Sequence, residues 1–117
     1  MKVLGEAHEA VGASVMRLLG WFQSGQVPMV PLAANRFLEM MSETAVGWLL
    51  LEQARIAIDK LATLPADSHE RAFYEGKKAS GLFYALNVLP TVAAKAEVIA
   101  LADDSALQIP DAAFATI

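Results

Sequence analysis

The chain has 117 residues, 56% of them hydrophobic, with a formal charge of −4 and no cysteine. The length fits one domain, residues 1–117, large enough to bury a core without staples. The missing cysteines exclude disulfides and thiolate metal sites, and the absence of any Lys/Arg cluster removes the electrostatic footprint of a nucleic-acid binder.

The first predicted helix covers about residues 2–22. Leu4, Ala7, Val11, Val15, Leu18 and Phe22 recur every three or four positions and make one apolar stripe. Lys2, Glu6, Glu9 and Arg17 fall mostly off it. Ser24-Gly25-Gln26 ends the helix, with glycine suited to the left-handed position after a helix C-terminus. The N-terminus carries none of the pattern of a signal peptide, because Glu6, His8 and Glu9 follow Lys2 closely.

The second predicted helix covers about residues 32–64, with Pro31 placed to open it. Phe37, Met41, Trp48 and Leu51 mark one face; Leu38, Ala45, Leu49 and Ile56 widen it. The polar row of Arg36, Glu39 and Glu43 turns apolar at Val46, Gly47 and Leu50. A helix that is apolar all round at its middle is covered on more than one side. Gly47 lets another backbone approach, at a helix-propensity cost of about 1 kcal/mol. No uninterrupted apolar run approaches the roughly 18 residues of a membrane span.

The third predicted helix covers about residues 69–102, with Ser68 or Asp67 as its N-cap. Phe73, Gly76, Ala79, Phe83 and Leu86 form its first stripe, and Leu89, Val92 or Ala93, Ala96 and Ile99 continue it past Pro90. Proline inside a helix removes a hydrogen bond and clashes with the carbonyl four residues back, so a kink is expected there. Asp103-Asp104-Ser105 closes the helix. Leu107, Ile109, Pro110 and Phe114 belong to a strap expected to pack across the bundle. No alternating run or hairpin turn signals a strand. The expected fold is all-α: an antiparallel up-down bundle of three long helices, the third kinked near Pro90, with a C-terminal strap and room for a fourth helix from a partner.

Signals for chemistry are sparse. His8-Glu9 lacks the second histidine of the zinc-protease helix, since position 12 is glycine, and His69 sits at a helix start. No nucleophile elbow or phosphate loop is present. Glu39 and Glu43 lack the Glu-x-x-His partners of a di-metal bundle and are expected on a solvated face. Asp103 and Asp104 are expected at a solvated helix end. Lys77 and Lys78, near Tyr74 and Tyr84, are expected at a wet helix edge; their other reading is contact with an anionic group such as a coenzyme phosphate. Trp21, Trp48, Phe22, Phe37, Phe73 and Phe83 are expected in the core. Gly76, Ala79, Ser80, Gly81 and Ala85 let two faces of the third helix approach another backbone closely. Catalytic, cofactor-binding and metal-binding residues are all expected to be absent. The high apolar content points to self-association or to a larger partner.

Two stretches resemble a known family. One is Phe37-Leu38 followed by Val46-Gly47-Trp48-Leu49-Leu50-Leu51-Glu52-Gln53-Ala54. The other is Phe73-Tyr74-Glu75-Gly76-Lys77, then Ala79-Ser80-Gly81-Leu82-Phe83-Tyr84-Ala85 and Asn87-Val88-Leu89-Pro90. In order and spacing they resemble the small C-terminal domain appended to certain acyl-CoA dehydrogenases. Leu82 departs from the family's habit of an arginine before the aromatic pair of that helix, so any polar contact made by that arginine is absent here. The resemblance implies a parent flavoenzyme that takes two hydrogens from the α and β carbons of an acyl-CoA thioester, with FAD as hydride acceptor. Both the base and FAD are expected in the parent, with no cofactor in this fragment. The implied partner is the dehydrogenase core of the same parent chain, in a cytoplasmic homo-oligomer. Two other readings are a free-standing helical protein that oligomerises through residues 46–50 and the small-residue strip of the third helix, and a binding bundle with an apolar pocket among Met40, Met41, Trp48 and Phe83.

Overall fold

The computed structural model describes residues 1–115. Four helices follow one another: α1 (Lys2–Gln23), α2 (Met29–Thr63), α3 (Arg71–Asn87) and α4 (Pro90–Ala100). Two short 3₁₀ turns complete the chain, Ser105–Gln108 and Asp111–Phe114. No strand occurs among the described residues.

Helix α1 ends as its sequence dictates. Gly25 takes a left-handed φ of 85°, and the Gln26 amide donates to the Trp21 carbonyl at 2.8 Å. Helix α2 begins three residues earlier than expected, so Pro31 is its third residue rather than its opening one. A proline fits there equally well, because the first four amides of a helix have no partner within it. The turn into α3 uses Ser68, whose Oγ accepts the Glu70 amide at 3.3 Å. Arg71 then reaches back, donating from Nη1 to the carbonyls of Leu61 and Leu64, both at 3.1 Å. These are orphan carbonyls at the end of α2, so Arg71 ties the two helices at their turn.

The third long segment is kinked at Pro90, dividing it into α3 and α4. Val88 (φ −112°, ψ −51°) and Leu89 (φ −54°, ψ −37°) stay in the right-handed region, so the axis bends without a loop. The Val88 and Leu89 amides both donate to the Tyr84 carbonyl, at 2.9 and 3.0 Å. That wider ring avoids the Leu86 carbonyl, which Pro90 would strike. Taken by composition, Arg71–Ala100 holds an 18-residue window of mean hydropathy 1.3, enough to pass for a weak membrane span. Counting uninterrupted apolar residues overlooks it.

The core is a narrow seam. Ala7, Ser14 and Trp21 are the buried residues of α1; Ala33, Met40, Gly47 and Ala54 recur in α2; Ala85, Val92 and Ile99 follow in α3 and α4. Each series steps by seven, the spacing of coiled-coil packing. Helix α2, the longest, pairs with α3 through its second half, at Leu50 and Ala54, and with α4 through its first, at Glu39 and Glu43, while α1 packs beside it. Two glycines set the closest approaches. A Cβ on Gly81 would lie 2.7 Å from the Leu50 carbonyl oxygen, and one on Gly47 would lie 2.5 Å from a Leu89 methyl. The small strip of α3 thus meets α2 through Gly81 and Ala85, while Gly76 has open space beside it.

A seam this narrow leaves much of the apolar surface outside. Phe22, Trp48, Phe73 and Phe83, expected in the core, are exposed; Trp21 is buried and Phe37 half-buried. The strap also differs from expectation. Residues 101–115 are exposed, and Leu107 lies beside Pro28 and Met29 at the bundle's end rather than across it. The molecule measures 69 × 37 × 15 Å, a plate. Its radius of gyration is 20.3 Å, against about 13 Å for a compact chain of this length.

Candidate functional site

The main concavity is an open groove of about 520 Å³ between α1 and α2. Leu4 and Val11 form one wall; Met41, Ala45 and Trp48 form the other. Helical spacing explains both walls, because 4, 8 and 11 share one face of α1 and 41, 44, 45 and 48 share one face of α2. His8 and Thr44 are the polar side chains on the lining. Thr44 donates its hydroxyl to the Met40 carbonyl at 2.8 Å, so its donor is already used within α2.

A second hollow of about 460 Å³ continues from the first, sharing Leu4 and Trp48. Leu51, Ile58 and Leu82 extend its apolar floor toward α3, and Glu52, Arg55 and Asp59 line its rim. Arg55 donates to Glu52 Oε1 at 2.6 Å and Asp59 Oδ2 at 3.3 Å. The Arg55 hydrogen bond holds the Glu52 carboxyl below its ordinary range, and Glu52 in turn raises the Arg55 guanidinium. Leu82, the departure from the family's arginine, is therefore a groove residue lying beside an ion-paired arginine from α2.

The sequence-based candidates scatter. Met41 and Trp48 line the groove, but Met40 is fully buried beneath it and Phe83 points to solvent from α3, so the four do not form one pocket. Of residues 46–50, Val46, Trp48 and Leu49 are exposed, whereas Gly47 is sealed under Leu89 and Leu50 is half-buried. Lys77 Nζ donates to Gln53 Oε1 at 3.4 Å and lies 5.5 Å from the Phe73 ring centroid, which in turn meets Tyr74 edge-on. Lys77 and Lys78 are half-buried, drier than a wet edge. Asp103 accepts the Ser105 amide and hydroxyl at the start of the first 3₁₀ turn, and Asp104 accepts from the Gln108 side chain at 3.4 Å. His69 lies exposed in the α2–α3 turn.

Glu43 departs from the expected solvated face, whereas Glu39 stays exposed. Both clasp Lys95 of α4: Glu39 Oε2 at 3.3 Å, and Glu43 Oε1 through a shorter contact. Thr91 adds its hydroxyl to Glu43 Oε2 at 3.0 Å. The Lys95 and Glu43 side chains are largely covered. The Glu43 hydrogen bond, outweighing the cost of burial, holds the Lys95 ammonium above its ordinary value. Burial, reinforced by nearby Glu43, raises the Tyr84 phenol. This is a polar clasp between α2 and α4 beside the kink. A signal for it existed in the sequence: Lys95 is the one cation in apolar α4, and a lone cation there needs an anion on the facing helix. Arg71 had no such signal, because its partners are backbone carbonyls. Among the described residues, no three His, Cys, Asp or Glu side chains gather closely enough to hold a metal ion.

Comparison with known proteins fits this arrangement. The family described as "Acetyl-CoA dehydrogenase C-terminal like" matches residues 1–110. A broad-specificity linear acyl-CoA dehydrogenase, FadE5 of Mycobacterium tuberculosis, is 34% identical over 96% of this chain and 19% of its own length. A butyryl-CoA dehydrogenase of Syntrophomonas wolfei is 41% identical over 74% of the chain and 14% of its own length. A second butyryl-CoA dehydrogenase of that organism is 41% identical over 70% and 13%. The chain thus spans less than a fifth of the length of these relatives. It belongs to the acetyl-CoA dehydrogenase C-terminal-like family.

Proposed function

We propose that this chain is the accessory C-terminal module of a longer, FAD-dependent acyl-CoA dehydrogenase, and that it docks on the dehydrogenase core through the α1–α2 groove. Such a parent oxidises an acyl-CoA to the 2-enoyl-CoA, and FAD supplies the hydride acceptor when bound. The groove does not fit FAD or coenzyme A. Their pyrophosphates ask for cations or helix-end amides, whereas the lining offers one histidine and one threonine among apolar walls. Oxidation is therefore assigned to the rest of the parent, and this module to assembly, in a cytoplasmic homo-oligomer.

The observation that carries this reading is exposed surface. A compact monomer of this mass exposes about 6,200 Å². The chain exposes 7913 Å², about 1,700 Å² more than that scaling gives. That excess per partner matches the large interfaces of permanent assemblies. The Leu4–Trp48 groove is the place for a further helix to complete a four-helix bundle.

Two measurements test it. The gene is expected to encode a dehydrogenase core in frame before Met1; a stop codon and ribosome site directly upstream overturns the proposal. In the full-length protein, Ala45→Asp places a charge in the groove at an exposed position. Limited proteolysis should then release the module more readily than from the wild type. Unchanged protection overturns the assignment of the groove.

A further inference from the structure

Helix α3 has a second seam, on the side away from α2. Phe73, Gly76, Ser80, Phe83 and Asn87 are all exposed and step by three and four, the alternating spacing of a coiled-coil contact line. Phe73 and Phe83 are 61% and 64% exposed, and a side chain added at Gly76 would meet nothing within 4 Å. Helix packing within the monomer uses neither the aromatic rings' outer surfaces nor the small residues between them. The groove between α1 and α2 lies elsewhere and shares none of these five residues.

We infer that this seam pairs with the same seam of a second copy, α3 against α3, antiparallel about a two-fold axis near residue 78. The order of residues selects this occupant. Reversing the chain about residue 78 sets Phe73 against Phe83 of the second copy and Gly76 against Ser80 of the second copy, and the two-fold repeats both layers. Aromatic rings then meet at both ends, and small residues meet in the middle. Small central residues let the helices approach closely, which brings the flanking rings into contact. A contact made by the same patch on both copies must be self-complementary in this way. The five positions carry no charge, so the two-fold brings no like charges together. Lys77, at the margin, is turned to Gln53 and the Phe73 ring.

The area sets the strength. Each ring leaves roughly 120 Å² exposed, taking about 200 Å² for a phenylalanine. The seam as a whole amounts to roughly 400 Å² per copy, about 800 Å² in total, below the about 1,200 Å² of stable specific interfaces and in the range of weak, transient contacts. Pairing is therefore reversible and concentration-dependent, and it strengthens where the rest of the parent holds two copies together. The inference does not depend on the parent being a dehydrogenase.

The natural absence of cysteine makes the test direct. Gly76→Cys and Ser80→Cys variants of the full chain are prepared separately and oxidised mildly, alone and mixed. Paired Cα atoms across a close antiparallel contact fall in the roughly 4.4–6.8 Å range a disulfide accepts. The mixture is expected to cross-link several-fold more than either variant alone. Phe83→Asp introduced into both should abolish the cross-link while circular dichroism stays unchanged. Equal cross-linking in all three samples overturns the antiparallel register. No cross-linking in the mixture, or stronger cross-linking of an Ala45→Cys control, overturns the seam as the site of pairing.

Discussion

Gly81→Ala and Gly76→Ala add the same methyl group to the same helix, five residues apart. Their environments are opposite. At Gly81 the new Cβ would lie 2.7 Å from both the Leu50 carbonyl oxygen and the Ala54 Cβ; at Gly76 it would meet nothing within 4 Å. The gain in helix propensity is common to both, about 1 kcal/mol. At Gly81 the obstruction includes backbone, which cannot rotate away, so α3 must move off α2. Overpacking of this kind costs about 1–3 kcal/mol, and the backbone contact places Gly81 at or above the upper end. The net expectation is a loss of about 2 kcal/mol for Gly81→Ala and a gain of about 0.5–1 kcal/mol for Gly76→Ala. At about 4 °C per kcal/mol for a domain this size, the two melting temperatures should differ by about 10 °C. Thermal unfolding followed by far-ultraviolet circular dichroism at low micromolar protein measures this. Equal shifts for the two variants, or a more stable Gly81→Ala, would refute the close α2–α3 approach.

Three further outcomes follow from the geometry. Lys95→Met leaves Glu43 largely covered without its cation and should cost about 1–2 kcal/mol, between an exposed and a fully buried pair. Because the folded-state pKa of Lys95 is raised, its contribution is fully present below the unfolded value of about 10.4. It fades as pH rises through the higher folded value, so denaturant titrations of wild type and variant should converge only in that alkaline window. Arg71→Ala removes hydrogen bonds to two carbonyls at the α2–α3 turn and should cost about 1–2 kcal/mol. Hydrogen exchange should quicken in the last turn of α2 while the Met40 region stays protected. Trp48 is 58% exposed and Trp21 is 8% exposed, so acrylamide should quench the Trp21→Phe variant far more than the Trp48→Phe variant. If Trp48 is the shielded one in a strictly monomeric chain, the groove as described is wrong.

The sequence made the helices legible because their apolar spacing, prolines and glycines are local signals. Helix α1 ends within a residue of its expected limit, and the kink falls at Pro90 for the steric reason expected. Which face is buried was less legible. Of the expected stripe on α1, Ala7 is buried and Leu4, Val11 and Leu18 are half-buried, but Val15 and Phe22 are exposed, and Ser14 and Trp21 complete the buried line. A moment drawn toward the largest side chains misplaces a seam built from Ala, Gly and Ser. Phe73 and Phe83 were assigned to the core for the same reason. Glu43 and Lys95 are hard to pair from sequence because they lie 52 residues apart, on helices whose mutual register no local signal sets.

The small buried residues and the exposed large ones have one explanation. Ala33, Gly47, Ala54, Gly81 and Ala85 bring helices close and use little side-chain volume in the interior. Burying these positions contributes less hydrophobic stabilisation than burying leucine or phenylalanine, at about 25 cal/mol per Å² of apolar area. The larger residues are placed outward, at Trp48 and Leu49 on α2 and at Phe73 and Phe83 on α3. A free-standing bundle arranged this way would keep its thin interior and expose its strongest hydrophobic groups to water. The arrangement becomes favourable when those groups are buried by association, so that stability of this plate is shared with what covers it. On this argument, a charge at Ala45 or Phe83 weakens assembly with little effect on the isolated helices, whereas a methyl group at Gly81 does the reverse, loosening the plate and leaving both outer surfaces intact.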